Sequence, residues 1–316
     1  MKYLPIDRSL FVQNRIKFAE MLRPKSIAIF NSNDIMPTNA DGTMAFRQNN
    51  DLFYLSGIDQ EESILLIFPD SPDEKHREIL FLKETSELIA IWEGHKYTKE
   101  EAYATSGIRT VYWLSQFEQI LYSLIVHASS VYLNKNEHLR ASSEVQTRDD
   151  RFLRWFKEKY PLHDIQRSAP IMHHLRAIKS DIEISLLQKA CDITEKGFRR
   201  ILEFVKPGVM EYEIEAEFLH EFIKNRSAGF AYAPIIASGA NACVLHYIEN
   251  NASCEPGDVI LFDVGAEYSN YNADMSRAIP VNGRFSARQK AVYQAVRNVM
   301  KEAMSMLRPG NAIPEY

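Results

Sequence analysis

The sequence predicts two domains, an α/β layer domain followed by a second domain in which helices precede strands. This prediction rests on the chain length, on alternating helical and strand patterns in the first half, and on a change of pattern at residues 160–180. With 316 residues, the chain is about twice as long as an ordinary domain. We therefore predict domains at residues 1–165 and 166–316.

Helical and strand patterns alternate along the first half, which is typical of an α/β layer domain. The predicted helices are Asp7–Leu22, Thr98–Thr105 and Phe117–His127. The predicted strands are Ser26–Phe30, Ser63–Phe68, Glu78–Leu82, Val111–Leu114 and Val131–Leu133. The domain boundary is placed where Pro161 and Pro170 bracket a polar stretch without a clear period.

The second half begins with predicted helices and continues with strands. Ser180 and Glu183 have the spacing of a capping box, so a helix should run from there to about Val205. A second amphipathic helix is predicted at Glu211–Asn225. The later elements are strands at Ile235–Ile236, Asp258–Ala266 and Tyr271–Val281, and a helix at about Ser286–Leu307.

Composition excludes several classes of protein. A formal net charge of −5 argues against a nucleic-acid partner, because such proteins concentrate Lys and Arg. No run of about 18 apolar residues occurs, so we expect no membrane partner. The cysteines Cys191, Cys243 and Cys254 are too scattered for a disulfide framework, which favours a reducing, cytoplasmic location.

Two aspartates in the second half form the strongest candidate site. Asp263 and Asp274 lie in β-rich arms on either side of the turn-forming stretch Glu267–Asn270, which predicts a hairpin. With the turn centred between Tyr268 and Ser269, the two aspartates are direct partners on one face, with Cβ atoms roughly 5 Å apart.

Two ionised carboxylates at that distance repel each other, so a compensating group is expected. Oxygen ligands on rigid strands are what hard cations such as Mn²⁺ or Mg²⁺ require. A shared proton is one alternative. Another is that one aspartate caps a turn while the other pairs with Arg277.

His246 is the candidate catalytic residue outside this pair. Its functional interpretation is a proton donor or a hydrogen-bond partner for a reacting carbonyl. The alternative is a surface histidine or a core histidine with satisfied hydrogen bonds. GxSxG, GxGxxG and phosphate-loop motifs are absent, which disfavours serine hydrolases, dinucleotide-binding proteins and nucleotide-binding proteins.

Several segments together resemble the proline-specific metallopeptidases of the pita-bread fold, and among them the Xaa-Pro aminopeptidases, over nearly the whole chain. The segments are Phe46–Gly57, Glu61–Leu66, Ile91–Gly94, Arg176–Ser180, Ser238–Tyr247 and Asp263–Asp274. The resemblance implies an α/β, creatinase-like N-terminal domain and an α+β pita-bread catalytic domain. It also implies that the C-terminal half of the catalytic domain, with one histidine and two glutamate ligands, lies beyond Tyr316.

The resemblance assigns roles to five residues. Asp263 would bind one ion and Asp274 would bridge both ions of a dinuclear centre, usually manganese. His246 would assist the tetrahedral intermediate, and Tyr232 would lie near the substrate amino end. Trp92 would come from a neighbouring subunit of a homo-oligomer, a dimer or tetramer; its alternative role is core packing.

The implied reaction is release of an N-terminal residue that precedes proline, with a hydroxide bridging the two metal ions as nucleophile. The implied partner is a peptide with proline at its second position. Prolidase, which accepts only Xaa-Pro dipeptides, is an alternative, as is a non-catalytic binding module with the same fold. Creatinase shares the fold but lacks the paired aspartates.

Overall fold

A computed structural model describes residues 2–141 and 143–315. The helices are α1 (Ser9–Glu20), α2 (Asn50–Ser56), α3 (Glu87–Glu93), α4 (Lys99–Ser106), α5 (Phe117–Ile125), α6 (Arg148–Lys159), α7 (Ala169–Ala177), α8 (Asp181–Phe204), α9 (Glu211–Lys224) and α10 (Ala287–Met306).

The strands alternate with helices only in the first half. They are β1 (Ser26–Asn31), β2 (Ile64–Ile67), β3 (Glu78–Leu82), β4 (Thr110–Trp113), β5 (Ser130–Leu133), β6 (Asp164–Arg167), β7 (Gly229–Phe230), β8 (Ile235–Ser238), β9 (Val259–Val264), β10 (Ala266–Tyr268), β11 (Tyr271–Asn272) and β12 (Met275–Pro280).

The chain divides into two compact units between Ile182 and Glu183. The break falls later than the predicted boundary at residues 165 and 166. The reason is that β6 pairs in parallel with β5, and Ile171 and Met172 of α7 belong to a core cluster of the first unit. Residues 183–315, together with residues 2–3, form the second unit.

The first unit contains a six-stranded mixed sheet in the order β4-β3-β2-β1-β5-β6. Side chains of β1 alternate between two apolar clusters, as the two-residue period of a strand requires. Ala28 and Phe30 pack on the side that includes Phe18 of α1, whereas Ile27 and Ile29 pack on the side that includes Leu121 of α5. Helices on both faces of the sheet make this the expected α/β layer domain.

The sequence analysis missed several elements, among them β6, α7 and α6. Strand β6 is an edge strand whose four residues are all at least partly exposed, so it has no apolar pattern. Helix α7 starts with Pro170 in its first turn, a favourable position for proline at a helix start. Helix α6 has a capping box from Thr147 to Asp150, a signal that could have revealed it.

The second unit packs two long helices against strands. Phe218 and Phe222 of α9 and Ile193 of α8 share one core cluster with Phe262 of β9. The strands form two three-stranded sheets, β12-β9-β8 and β11-β10-β7. The helices thus cover one face of β9, and alternate β9 side chains lie on the other face.

At the junction between the two sheets, two segments of backbone lie unusually close together. Between β9 and β10 lies Gly265, where a Cβ atom would fall 1.8 Å from the carbonyl oxygen of Ala273. The Ala273 N–H donates to the carbonyl oxygen of Ala266 at 3.0 Å. Only a residue without a side chain therefore fits at position 265.

We predict that Gly265→Ala lowers the free energy of unfolding by about 3 kcal/mol, because the added methyl group collides with backbone that cannot move independently. Gly257→Ala is the control, since open space surrounds that position and only its positive φ of 92° opposes the substitution. The control should lose about 1 kcal/mol. Urea unfolding of both variants measures this, and equal losses would contradict the account.

Candidate metal centre

The predicted hairpin is present, but its predicted register is wrong. Asp263 pairs with Ser276, and Val264 pairs with Met275, so Asp263 and Asp274 are not direct partners. The cause is the turn. Ser269 and Asn270 both have positive φ, 55° and 64°, and so occupy its two central positions.

Such a turn matches the twist of antiparallel strands, and asparagine tolerates the left-handed conformation. Tyr268 and Tyr271 close the turn as a pair. The turn is therefore centred between Ser269 and Asn270, one residue later than predicted.

The two aspartates nevertheless converge on one group. The hydroxyl oxygen of Tyr232 lies 2.6 Å from Oδ1 of Asp263 and 3.2 Å from Oδ1 of Asp274. Since one hydroxyl reaches both carboxylates, both lie on the same side of the hairpin. The same-face prediction is thus correct although the direct pairing is not.

The environment of the pair is polar and partly open to solvent. In β9, Ile260, Phe262 and Val264 are buried, whereas Asp263 lies on the opposite, half-buried face, and Asp274 is exposed. Burial raises the pKa of the Tyr232 hydroxyl, and the hydrogen bond to Asp263 raises it further. Tyr232 therefore stays protonated and remains a donor.

A single hydroxyl proton can be donated to only one carboxylate at a time. The pair is therefore left with more acceptor oxygens than Tyr232 can satisfy. Arg277 does not fill this need in the described part of the chain: its guanidinium donates to the carbonyl oxygen of Ser276 at 2.8 Å, and no ion pair joins it to either aspartate.

Two converging carboxylates fit a divalent cation, which takes oxygen ligands. Among residues 2–141 and 143–315, no group of three or more His, Cys, Asp or Glu side chains is arranged to hold a metal ion. Asp263 and Asp274 therefore fit as part of a ligand set rather than as a complete one.

The loop that carries His246 lies over the same sheet face as Asp263. Ile235 pairs with Asp263, and Ile235 and Ala237 form an apolar cluster with Tyr247. His246 itself is exposed, and its side chain makes no hydrogen bond or ion pair with the residues that the structure describes.

Trp92 belongs to the first unit, on the short helix α3. Its side chain is 83% exposed, and its helix neighbours Leu88 and Ile91 are also exposed. The core-packing alternative for Trp92 is therefore wrong.

Both units of the chain match known protein families. Residues 185–316 match the family described as metallopeptidase family M24, and residues 11–132 match the aminopeptidase P N-terminal domain. The Xaa-Pro aminopeptidase of Escherichia coli is 30% identical over 311 residues, which cover 98% of this chain and 70% of that protein. The chain belongs to the Xaa-Pro aminopeptidase family.

Solved structures of Xaa-Pro aminopeptidases also match. The aminopeptidase PepP of Pseudomonas aeruginosa has a TM-score of 0.87 and 29% identity, covering 98% of this chain and 70% of that one. An Escherichia coli aminopeptidase P variant in complex with substrate has a TM-score of 0.86 and 29% identity, covering 99% and 71%.

Membership of the Xaa-Pro aminopeptidase family confirms the predicted fold class and the metallopeptidase assignment. The family implies divalent metal ions as cofactors. Within the described residues, no helix combines the length and the apolar character that crossing a bilayer requires.

The sequence analysis missed one residue beside the candidate site. Glu211, at the start of α9, is fully buried and accepts hydrogen bonds from both sides of the His246 loop. The sequence placed it at a helix start, where an acidic residue is ordinary. Only the three-dimensional structure distinguishes it from its helix neighbours.

We predict that Asp274→Asn stabilises the metal-free protein by about 1 kcal/mol at most, because it removes repulsion from Asp263 at a solvent-screened position. A divalent cation that binds only the folded state should then stabilise the unmodified protein more than the variant. Thermal unfolding with EDTA and with Mn²⁺ measures both effects.

Asp192→Asn is the control for that comparison, since Asp192 is an exposed carboxylate on α8 hydrogen-bonded to Gln188. It should leave the response to Mn²⁺ unchanged. Equal stabilisation of Asp274→Asn and the unmodified protein by Mn²⁺ would refute the metal assignment.

Proposed function

We propose that this chain hydrolyses the peptide bond between an N-terminal residue and a following proline, as its relatives' names indicate for them. The observation that supports this most directly is the convergence of Asp263 and Asp274 on the Tyr232 hydroxyl. This arrangement offers carboxylate oxygens on one face of a sheet, beside a loop that carries a histidine.

The proposed cofactors are two divalent metal ions, with Mn²⁺ as the resident metal. Asp263 would contribute to one ion and Asp274 to both. Bound ions of this kind lower the pKa of water and polarise a scissile carbonyl. Carboxylate donors suit Mn²⁺, a cation that takes oxygen ligands.

The residues of this chain would orient the substrate and the carboxylates. Tyr232 keeps its proton and donates to Asp263, which fixes the direction of that carboxylate. His246, exposed on its loop, would donate a hydrogen bond to the carbonyl oxygen as negative charge develops there.

Trp92 would complete the substrate pocket of a neighbouring subunit, which makes a homo-oligomer the proposed assembly. Its exposure on α3 leaves the indole available for such a contact. We also propose a cytoplasmic location, on the basis of the scattered cysteines, which are all free thiols.

The proposal is tested by metal analysis together with turnover of an Xaa-Pro-Yaa tripeptide and an Xaa-Pro dipeptide. We expect bound divalent metal and hydrolysis of the tripeptide. Asp274→Ala should lose metal and lower kcat/KM by about 100-fold or more, because charge stabilisation at the carbonyl is lost. Asp192→Asn should resemble the unmodified protein.

The other outcomes separate the alternatives. Hydrolysis of the dipeptide alone would assign the chain to the prolidases. Absence of metal from the unmodified protein, with no turnover of either peptide, would favour a non-catalytic binding module.

A further inference from the structure

A buried carboxylate closes the base of the loop that carries His246. Glu211 is 0% exposed. Its Oε1 atom accepts from the backbone N–H and from the hydroxyl of Ser238, both at 2.7 Å. Its Oε2 atom accepts from the hydroxyl of Tyr247 at 2.7 Å and from the N–H of Ala252 at 2.9 Å.

These donors lie at the start, in the middle and near the end of the loop. Ser238 is the last residue of β8, where the chain leaves the sheet; Tyr247 lies within the loop; and Ala252 lies where the chain returns toward β9. The N–H of Glu211 also donates to the carbonyl oxygen of Ala252 at 3.0 Å. Glu211 therefore holds the outgoing and returning segments together through one side chain and its own backbone.

A second buried residue fixes the returning segment. Asn250 is 2% exposed and has a positive φ of 46°, a conformation that asparagine tolerates. Its Oδ1 atom accepts from the N–H of Ile236 at 3.0 Å, and its Nδ2 atom donates to Glu215 at 2.9 Å and to the carbonyl oxygen of Pro234. The loop is thus fixed to both β8 and α9.

Tyr247 connects Glu211 to the candidate catalytic residue, His246. It directly follows His246, and its ring packs against Ile235 and Ala237 while its hydroxyl reaches Glu211. Because Ile235 is the strand partner of Asp263, Tyr247 is anchored on the face that bears the metal-binding aspartates. An anchored Tyr247 leaves little freedom to the backbone of the exposed His246.

We propose that Glu211 is a positioning residue: through Tyr247, its buried carboxylate holds the His246 loop against the sheet face that carries Asp263. The inference rests on the role proposed above for His246. A histidine that acts on a developing charge must be held to within a fraction of an ångström, since misplacement by about 1 Å can cost about 100-fold in rate.

The charge of Glu211 is secured by the same contacts. Burial alone would raise the pKa of this carboxyl, but the hydrogen bonds from Tyr247, Ser238 and Ala252 outweigh it and hold the pKa below its ordinary value. Glu211 therefore remains an acceptor for all four donors at neutral pH.

Tyr247→Phe is the sharpest test, because it removes one hydroxyl and keeps the ring that packs on Ile235. We expect kcat to fall by about 10-fold with KM changed less than about twofold, since loop position rather than substrate binding is lost. In a His246→Ala background, the same substitution should change kcat by less than about twofold. Tyr212→Phe, at an exposed tyrosine beside Glu211, is the matched control.

If Tyr247→Phe lowers kcat equally in the presence of His246 and in the His246→Ala background, the inference is overturned, because Tyr247 would then act independently of His246. If His246→Ala leaves kcat unchanged, the role proposed for His246 fails. The positioning role of Glu211 is then tested separately, by NMR of ¹³C-histidine-labelled protein. The ring signal of His246, assigned through His246→Ala, should shift and broaden in Tyr247→Phe and in Glu211→Gln. An unchanged signal in both variants would reject the positioning role even where catalysis is affected.

Discussion

The register of the hairpin formed by β9 and β12 is the constraint on which the candidate site depends. Side chains alternate between the faces of a strand, so a slip of one residue would send Asp263 into the helix-covered core and Phe262 toward the site. Two local features hold this register. Ser269 and Asn270 form the turn, and Gly265 allows the backbone of Ala273 to approach closely.

Three carboxylates near the site have different surroundings, and these surroundings indicate different roles. Glu211 is buried, and protein donors satisfy its two oxygens, so it does not require a cation to balance its charge. Asp263 and Asp274 share one hydroxyl, and Asp263 is half-buried while Asp274 is exposed. Within the described residues, no Lys or Arg side chain forms an ion pair with either aspartate, so the two carboxylates are suited to a hard cation that takes oxygen ligands.

Much of the fold could be predicted from the sequence because its elements have strong periodic patterns. Strand β3 was predicted with its observed limits, Glu78–Leu82, and α9 to within one residue at its end. The edge strand β6 escaped prediction because it is partly exposed and has no apolar alternation. These residues form a strand because they pair with β5, and a local sequence pattern does not reveal such a pairing.

The site was predicted in outline, and its errors have local causes. The hairpin and the shared face of Asp263 and Asp274 followed from strand patterns, but a turn one residue later changed the strand partner of Asp263 to Ser276. Tyr232 was predicted only from family resemblance, as a residue near the substrate amino end; its hydrogen bonds to both aspartates were found in the structure. The buried position of Glu211 could not be predicted, because its donors come from positions that are distant in sequence and meet only in the folded unit.

The most direct measurement of the central claim is anomalous X-ray scattering from crystals of the protein grown with Mn²⁺. The account predicts anomalous density within about 2.2 Å of carboxylate oxygens from both Asp263 and Asp274, with the Tyr232 hydroxyl alongside. Manganese bound elsewhere, with these two carboxylates turned to opposite sides of the hairpin, would contradict it.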